Sequence, residues 1–203
     1  YFYDMILRYQ EKDNYIINSL SNYAEKLGFN NKTGIDIHEK KGRIPNSKWM
    51  VINEGKDWPK RGSMPNLVIG QGANAITALQ AINLINLIAT KGKTFKPKLV
   101  ITNPSISNQS QISNYTWESI QEAMYSVVNE KNGTAYMLKS DNAIIRGKTG
   151  TAQSSSSSTE NLLSWFGGYI EYKGSVMSLI VIIEDTNTDS KILAKKISKN
   201  IFD

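Results

Sequence analysis

The sequence predicts an α+β fold in which an antiparallel sheet is covered by helices. Three observations carry this expectation. Residues 1–135 read mainly as helices and loops, whereas residues 136–203 read as extended runs followed by a closing helix. Two of those runs, Leu162 to Tyr172 and Ser175 to Glu184, are separated only by Lys173-Gly174, a turn short enough to require antiparallel neighbours. Helices first, a meander next and a covering helix last give a layered arrangement rather than alternating βαβ units.

The elements follow in order. Tyr1 to Tyr9 is aromatic and aliphatic and predicts a buried helix. Asp13 caps a second helix, with Ile16, Leu20, Tyr23, Ala24 and Leu27 at helical spacing, and Gly28 supplies its left-handed stop. From Asn30 to Asn66 the punctuation by Gly34, Gly42, Pro45, Gly55, Pro59, Gly62 and Pro65 predicts a long loop around a site or an interface. Trp49 and Trp58 are read as packing residues that pin it. Thr77 to Gln80 is a capping box, flanked by Ile76 and Ala81 at staple positions. The helix it opens, through Leu84, Ile85, Leu87 and Ile88, is apolar on most sides and therefore central, and Lys91-Gly92 ends it. Lys98 to Thr102 reads as a short extended piece, and the polar stretch Asn103 to Asn114 as a mobile excursion. Thr116 or a neighbour opens a helix with Ile120, Met124, Val127 and Val128 on one face, closed by Asn132-Gly133. Ala143 to Gln153 is the first strand of the meander, and the serine run Ser154 to Ser158 links it to the second. Ile192, Leu193, Ile197 and Ile201 mark a final helix over roughly Ser190 to Ile201.

Composition excludes several classes of function. There are 203 residues and no cysteine, so disulfides and thiolate metal sites are ruled out, and His38 is the only histidine. His38 is read as a surface residue rather than a ligand or base. The net charge is +6, but the lysines are scattered and no aromatic-rich basic module accompanies them, so nucleic acid is not an expected partner. No run of about eighteen apolar residues occurs to span a bilayer. Val176 to Ile183, the longest apolar stretch, suits a buried strand. Tyr1 begins without a methionine or a basic leader, which leads us to expect a fragment or a processed chain.

Chemistry concentrates at Lys148-Thr149-Gly150-Thr151. This KTG triplet is one of three signatures of serine penicillin-binding proteins and class A β-lactamases, the others being S-x-x-K and S-D-N. An acyl-transfer site needs amide donors aimed at a developing oxyanion, which a strand bordering the site can offer. Other pieces stand in order around it. Thr33-Gly34-Ile35-Asp36, then Gly42 and Pro45, is similar to the TGID segment and following G-x-x-P of class B penicillin-binding proteins. Ile69-Gly70-Gln71-Gly72 with Thr77-Ala78-Leu79-Gln80 resembles that family's IGQG…TPLQ block. Gly133-Thr134-Ala135, Lys148 to Gln153, and Trp165-Phe166-Gly167-Gly168-Tyr169 complete the series. The resemblance spans nearly the whole chain and is greatest to the elongation type.

The resemblance implies the penicillin-binding-protein/serine β-lactamase-like fold, with residues 1–203 the C-terminal portion of one transpeptidase domain. It implies that the Thr151 backbone N–H donates to the oxyanion and that Lys148 supplies a positive charge biasing proton movement. Thr149 and Thr151 would present hydroxyls to the substrate carboxylate, Gly150 would leave room for substrate along the strand, and Gln153 would line the same ledge. The implied activity is peptidoglycan D,D-transpeptidation through a serine acyl-enzyme, with no cofactor and no metal. Implied partners are stem peptides ending in D-Ala-D-Ala, β-lactam antibiotics, a membrane glycan polymerase and other elongation-complex proteins. The implied location is the periplasmic or extracytoplasmic face of the cytoplasmic membrane, anchored by an N-terminal transmembrane helix absent from these residues.

Two departures from the family pattern stand out. Ala78 replaces its proline at the first helical turn, and no serine has a lysine three positions later, so S-x-x-K is missing. Ser140-Asp141-Asn142 matches the middle motif literally but lies too close to Lys148, and it is read as a turn. Ser198-Lys199-Asn200 falls in the final helix. Tyr1-Phe2-Tyr3 resembles the aromatic helix that follows the family's S-x-N, so the chain is expected to start just past it. Two readings stay open beside the transpeptidase: a D,D-carboxypeptidase or β-lactamase-like hydrolase, against which the TGID and IGQG blocks argue, and a non-catalytic fragment or penicillin-sensing domain.

Overall fold

A computed structural model describes residues 2–8, 13–58, 63–100, 106–153, 162–186 and 192–202. The serine run Ser154 to Ser158 lies outside them, as do Ile101 to Ser105. The chain divides into two units, 1–77 and 78–203.

The first unit holds four helices: α1 (Phe2–Leu7), α2 (Asp13–Lys26), α3 (Ser47–Glu54) and α4 (Ser63–Val68). Ile6, Ile17, Met50, Trp58, Met64 and Leu67 form its buried centre, with Trp49 packed against it. The packing role expected for both tryptophans is thus what the structure shows. Helix α2 ends as Gly28 predicts. Gly28 takes φ +93°, its N–H donates to the Glu25 carbonyl at 3.0 Å, and the Phe29 N–H reaches back to Ala24 at 2.9 Å.

Three expectations need correction here. The 30–66 segment is not one loop, because α3 and α4 lie within it. Asn46 caps α3 by accepting the Trp49 N–H at 2.9 Å, and Pro65 falls in the first turn of α4, where the helix needs no N–H from it. Helix α1 is not buried throughout, since Phe2 and Tyr3 are exposed and Ile6 carries the burial. On α2 Ala24 is buried as expected, together with Ile17 and Ser21, while Tyr23 is exposed. An aromatic run reads as an all-round apolar helix, but a short surface helix meets the core with one stripe, which Ile6 marks among the described side chains.

The remaining loop is held by polar side chains. Asn30, at φ +64°, accepts the Ile44 N–H at 2.6 Å and donates to the Ile44 carbonyl at 3.1 Å, standing in for a strand neighbour. Nearby, Glu39 is buried and takes three donors: Thr33 N–H at 3.0 Å, Thr33 Oγ1 at 2.8 Å and Gly34 N–H at 2.6 Å. Burial alone would raise its pKa. The hydrogen bonds from Thr33 and Gly34, with the charge of Lys32, outweigh that and hold it below its ordinary 4.5.

The second unit layers helices on both faces of a three-stranded antiparallel sheet ordered β3 (Ile144–Gln153), β4 (Leu162–Tyr172), β5 (Ser175–Thr186). Lys173 and Gly174, at φ +48° and +78°, form the hairpin turn between the last two, a conformation that suits a twisted two-residue loop. Helix α5 (Ala78–Ala89) packs on one face and α7 (Leu193–Phe202) on the other. Helix α6 (Asn114–Asn129) runs against β3 and is capped by Ser113, whose hydroxyl accepts the Thr116 N–H at 3.2 Å. The absence of proline at position 78 does not prevent α5 from starting there. Lys91, at φ +51°, gives α5 its left-handed end, and the Gly92 N–H donates to Leu87 at 2.8 Å.

The two short strands of this unit are β1 (Lys93–Phe95) and β2 (Ile106–Gln109), paired antiparallel. Both correct the sequence reading. The extended piece is Lys93–Phe95, Lys98 to Val100 form no strand while the rest of the expected piece lies outside the described residues, and part of the polar excursion is the strand β2. Ser, Asn and Gln have little strand propensity of their own, so cross-strand pairing rather than composition makes β2. The final helix also faces differently from its hydrophobic pattern. Ile192, Leu193 and Ile201 are exposed, whereas Ala194 and Ser198 are fully buried. Small residues let α7 sit close on the sheet, and the Ser198 hydroxyl satisfies itself on the Ala194 carbonyl at 2.7 Å. Val176 and Met177, at the start of the longest apolar run, are exposed beyond the sheet's covered part.

Strand alternation sorts the sheet. Ile145, Phe166, Ile170 and Val181 share the α7 face, where they join Val128, Ala135 and Leu138 in the core. Gly167 and Ile180 share the other, where a Cβ on Gly167 would sit 2.7 Å from Ile180 Cδ1 and 3.5 Å from Ile85 of α5. Gly168 lies opposite Gly147, and a Cβ there would fall 2.4 Å from the Arg146 carbonyl oxygen and 3.0 Å from Gly147 Cα.

Two stability outcomes follow. Gly168→Ala forces β3 and β4 apart and should cost about 3 kcal/mol in denaturant unfolding, the upper range for overpacking. Glu39→Gln should be about 2 kcal/mol less stable than wild type at pH 7, since charged hydrogen bonds to buried donors are lost. Because the folded Glu39 pKa is depressed, its contribution is fully present above the unfolded pKa near 4.5 and is lost as pH falls through the folded value. Unfolding curves at pH 7 and below 4.5 should therefore converge for the two proteins in acid; a difference that stays constant would refute the assignment.

Candidate active-site strand

Strand β3 pairs in unbroken register with β4, from Ile144 opposite Glu171 to Gln153 opposite Leu162. Among the described residues it has no partner on its other side, so it is an edge strand. The Gly150 position is regular strand and not a bulge. A Cβ there would meet only Trp165 Cβ at 3.3 Å, so the sheet tolerates Gly150 being small but does not demand it as it does Gly168.

Which backbone groups face the open edge can be read from two hydrogen bonds. The Ile145 carbonyl accepts the Asn129 side-chain amide of α6 at 2.9 Å, and the Thr149 carbonyl accepts from Lys148 Nζ. Both carbonyls therefore point away from β4. In an antiparallel ladder N–H and C=O of one residue point the same way and the direction alternates. Gly147, Thr149 and Thr151 thus turn their peptide groups outward, and the Thr151 N–H is directed off the sheet at its free edge. Side chains alternate too: Thr149 and Thr151 lie on one face, Lys148 and Gly150 on the other. The structure thus brings Lys148, Thr149, Gly150 and Thr151 together on one ledge; Gln153 continues the strand, and its side chain is outside the described residues.

The ledge has supports that sequence reasoning missed. Thr134, in the turn after α6, places its hydroxyl 2.9 Å from that of Thr149, and its carbonyl accepts Lys195 Nζ from α7 at 3.0 Å. Gly133-Thr134-Ala135 was legible as a motif, but nothing in its spacing pointed at Thr149. One turn upstream on β3, the Arg146 guanidinium lies against the rings of Tyr125 and Tyr169, at 5.6 and 5.8 Å from their centroids, and pairs with Glu171. Tyr169 is buried, and that burial, reinforced by Glu171 and opposed by Arg146, pushes its hydroxyl up to about 12. It is therefore neutral and unsuited to proton transfer near pH 7.

Ser140-Asp141-Asn142 is the turn that the sequence suggested, with the Asn142 N–H donating to Ser140 Oγ at 3.2 Å. It lines an open cavity of about 390 Å³ together with Tyr125, Asn129 and Glu171. That cavity sits at the far end of β3, and the seven residue steps from Ile144 to Thr151 put about 23 Å between the two ends. Ser198 is buried in α7, and His38 is exposed in the first unit.

The profile of the penicillin-binding protein transpeptidase domain matches residues 5–203. The chain belongs to that family. A relative, the peptidoglycan D,D-transpeptidase MrdA of Haemophilus influenzae, is 28% identical over 220 residues, covering 93% of this chain and 33% of the relative. The structure of the penicillin-binding protein PBP2 from Helicobacter pylori is 27% identical, covers 100% of this chain and 37% of its own, and superimposes with a TM-score of 0.75. PBP2 in a complex with MreC from the same organism gives a TM-score of 0.76 at 27% identity, over 99% of this chain and 37% of that one. The chain thus spans about a third of the length of the relatives it matches.

In this penicillin-binding-protein strand the orientation of the peptide groups has a direct check. Proline at 149 removes an N–H that faces away from β4, so Thr149→Pro should unfold within about 1 kcal/mol of Thr149→Val, whereas Ala152→Pro, whose N–H faces β4, should lose about 3 kcal/mol. Equal losses in denaturant titrations would mean that the alternation is wrong.

Proposed function

We propose that the protein carrying this chain is a peptidoglycan D,D-transpeptidase of the elongation type, and that residues 1–203 are the C-terminal portion of its single transpeptidase domain. The observation that carries the reading is the Thr151 N–H turned off the free edge of β3, beside the Lys148 ammonium and the Thr149 and Thr151 hydroxyls. An extended peptide can add along such an edge as a further strand. Its scissile carbonyl would then meet the Thr151 amide, and its terminal carboxylate the two hydroxyls. Gly150 leaves the ledge open between them.

The reaction divides into two transfers. A serine supplied by a part of the protein outside these residues attacks the D-Ala-D-Ala carbonyl carbon, and the new O–C bond forms as the carbonyl oxygen takes up negative charge against the Thr151 N–H. The C–N bond then breaks, and D-alanine leaves with a proton on its nitrogen. An amine of a second stem peptide next attacks the ester carbonyl, the serine recovers its proton, and a peptide cross-link remains. Lys148 holds positive charge near both steps and biases where the protons go. A β-lactam enters the first transfer and stalls there, since its ring opens but no leaving group departs.

In this reading the partners are stem peptides ending in D-Ala-D-Ala, β-lactams, a membrane glycan polymerase and other proteins of an elongation complex. The likeness to PBP2 bound to MreC supports that last class. The site of action is the extracytoplasmic face of the cytoplasmic membrane. Among the described residues no helix is long and apolar enough to cross a membrane, so an anchor would come from elsewhere in the protein.

The test uses the intact protein. A labelled penicillin should attach covalently, and a D-Ala-D-Ala peptide given with a D-amino acid acceptor should release D-alanine and yield the amide-linked product. Lys148→Ala should lower the rate of penicillin acylation about 100-fold, the scale of losing a proton-transfer partner. If only hydrolysis occurs with acceptor present, the transpeptidase reading gives way to a carboxypeptidase.

A further inference from the structure

We propose that Thr134 is a positioning residue for substrate capture, acting through Thr149: it donates its hydroxyl proton to Thr149 Oγ1 and so leaves the Thr149 proton directed at the substrate carboxylate. The proposal rests on the transpeptidase reading of the β3 ledge. The two hydroxyl oxygens are 2.9 Å apart. Each hydroxyl has one proton and two acceptor positions, so one of the pair donates and the other accepts. A carboxylate can only accept. When it occupies the open side of Thr149, the Thr149 proton must go to it, and the contact with Thr134 survives only if Thr134 is the donor. Chained in this direction, the two bonds polarise each other and strengthen the one to the carboxylate.

The turn carrying Thr134 is held in place from three directions. Gly133 N–H donates to Glu130 at 2.8 Å and Ala135 N–H to Val127 at 3.0 Å, and Ala135 is fully buried in the core. A Cβ on Gly133 would lie 2.2 Å from the Val127 carbonyl oxygen, so the turn is closed tightly on the end of α6. From α7, Lys195 Nζ donates to the Thr134 carbonyl at 3.0 Å and Lys199 Nζ to that of Met137 at 3.1 Å. Lys195 thereby places a second cation beside the hydroxyl pair, with Lys148 on the Thr149 carbonyl as the first. Lys148 rises from the opposite face and reaches the edge at that carbonyl, so both charges favour an anion along the open edge of β3.

The experiment measures acylation of the intact protein by benzylpenicillin over a concentration series, separating the dissociation constant of the first complex from the acylation rate constant. Thr134→Val should raise the dissociation constant about tenfold, the scale of one hydrogen bond to a charged group, while changing the rate constant much less. Thr134→Ser should restore it. In a Thr149→Val background the Thr134→Val change should have no further effect, because the residue acts only through that hydroxyl. Additive losses in the double variant, no loss in the single one, or a serine variant as impaired as the valine one would each overturn the proposal. A wild-type protein that benzylpenicillin does not acylate at all would instead overturn the transpeptidase reading, and this inference with it.

Discussion

Where β3 passes β4 at Gly147 and Gly168, the two backbones come so close that neither position has room for a Cβ. One on Gly168 would meet the Arg146 carbonyl oxygen at 2.4 Å, and one on Gly147 would meet the Phe166 ring at 2.4 Å. The outward-pointing peptide groups of β3 make this pair a non-hydrogen-bonded one, the kind in which opposed residues sit closest. Phe166 fills the space that the two glycines vacate and carries it into the core against Phe202, edge to face at 6.3 Å. The register is therefore fixed by shape. A slip of one residue would put a side chain into the glycine gap, and would turn the Thr151 N–H inward to β4 while sending Gly150 and Ala152 outward. The chemistry proposed for the ledge depends on a packing constraint on its far side.

The two units divide the family's motifs by physical role. In the first, the TGID and IGQG blocks are held by their own polar contacts. Glu39 gathers Thr33 and Gly34, and Arg43 joins the two blocks by exchanging backbone bonds with Ala75, donating to the Ala73 carbonyl at 3.1 Å, and stacking on Trp49 at 4.2 Å. Such a buried carboxylate with three donors is a costly group to place unless all are satisfied, and here they are. In the second unit the motifs instead shape an edge: Trp165 to Tyr169 fixes the register and Gly133 to Ala135 presents Thr134. Short motifs of similar appearance thus do different work.

The sheet was legible because period-two patterning, a two-residue hairpin turn and a regular edge strand are local features; β4 matches its expected limits, and β3 and β5 differ by one or two residues. What escaped was decided by distant contacts. Strand β2 is polar at three of its four positions and is defined by pairing with Lys93–Phe95. Helix α7 reads as buried through Ile192, Leu193 and Ile201, yet close approach to the sheet selects Ala194 and Ser198 for burial. The Lys148 to Thr151 ledge could be named from its residue types, but the direction of the Thr151 amide needed the phase of the ladder, which the Asn129 bond to Ile145 supplies. Thr134 and Lys195, 15 and 47 residues from Thr149 and Lys148, meet the ledge only through the turn after α6 and the return of α7.

The same ladder bears on where a nucleophile can come from. In the reaction proposed above, a serine would approach within bonding distance of a carbonyl whose oxygen rests on the Thr151 amide, beside the C-terminal half of β3. Ser140 is at the other end of the strand, and its hydroxyl is engaged with the Asn142 N–H, so it cannot reach that carbonyl without unpairing β3. Ser198 would have to leave the core and give up its bond to Ala194. Ser164 is buried directly opposite Thr151, in the middle strand of the sheet between β3 and β5. None of these three has a lysine three residues on to take its proton. In the proposed reaction the ledge orients a carbonyl and a carboxylate, and none of Ser140, Ser164 and Ser198 is placed to attack there.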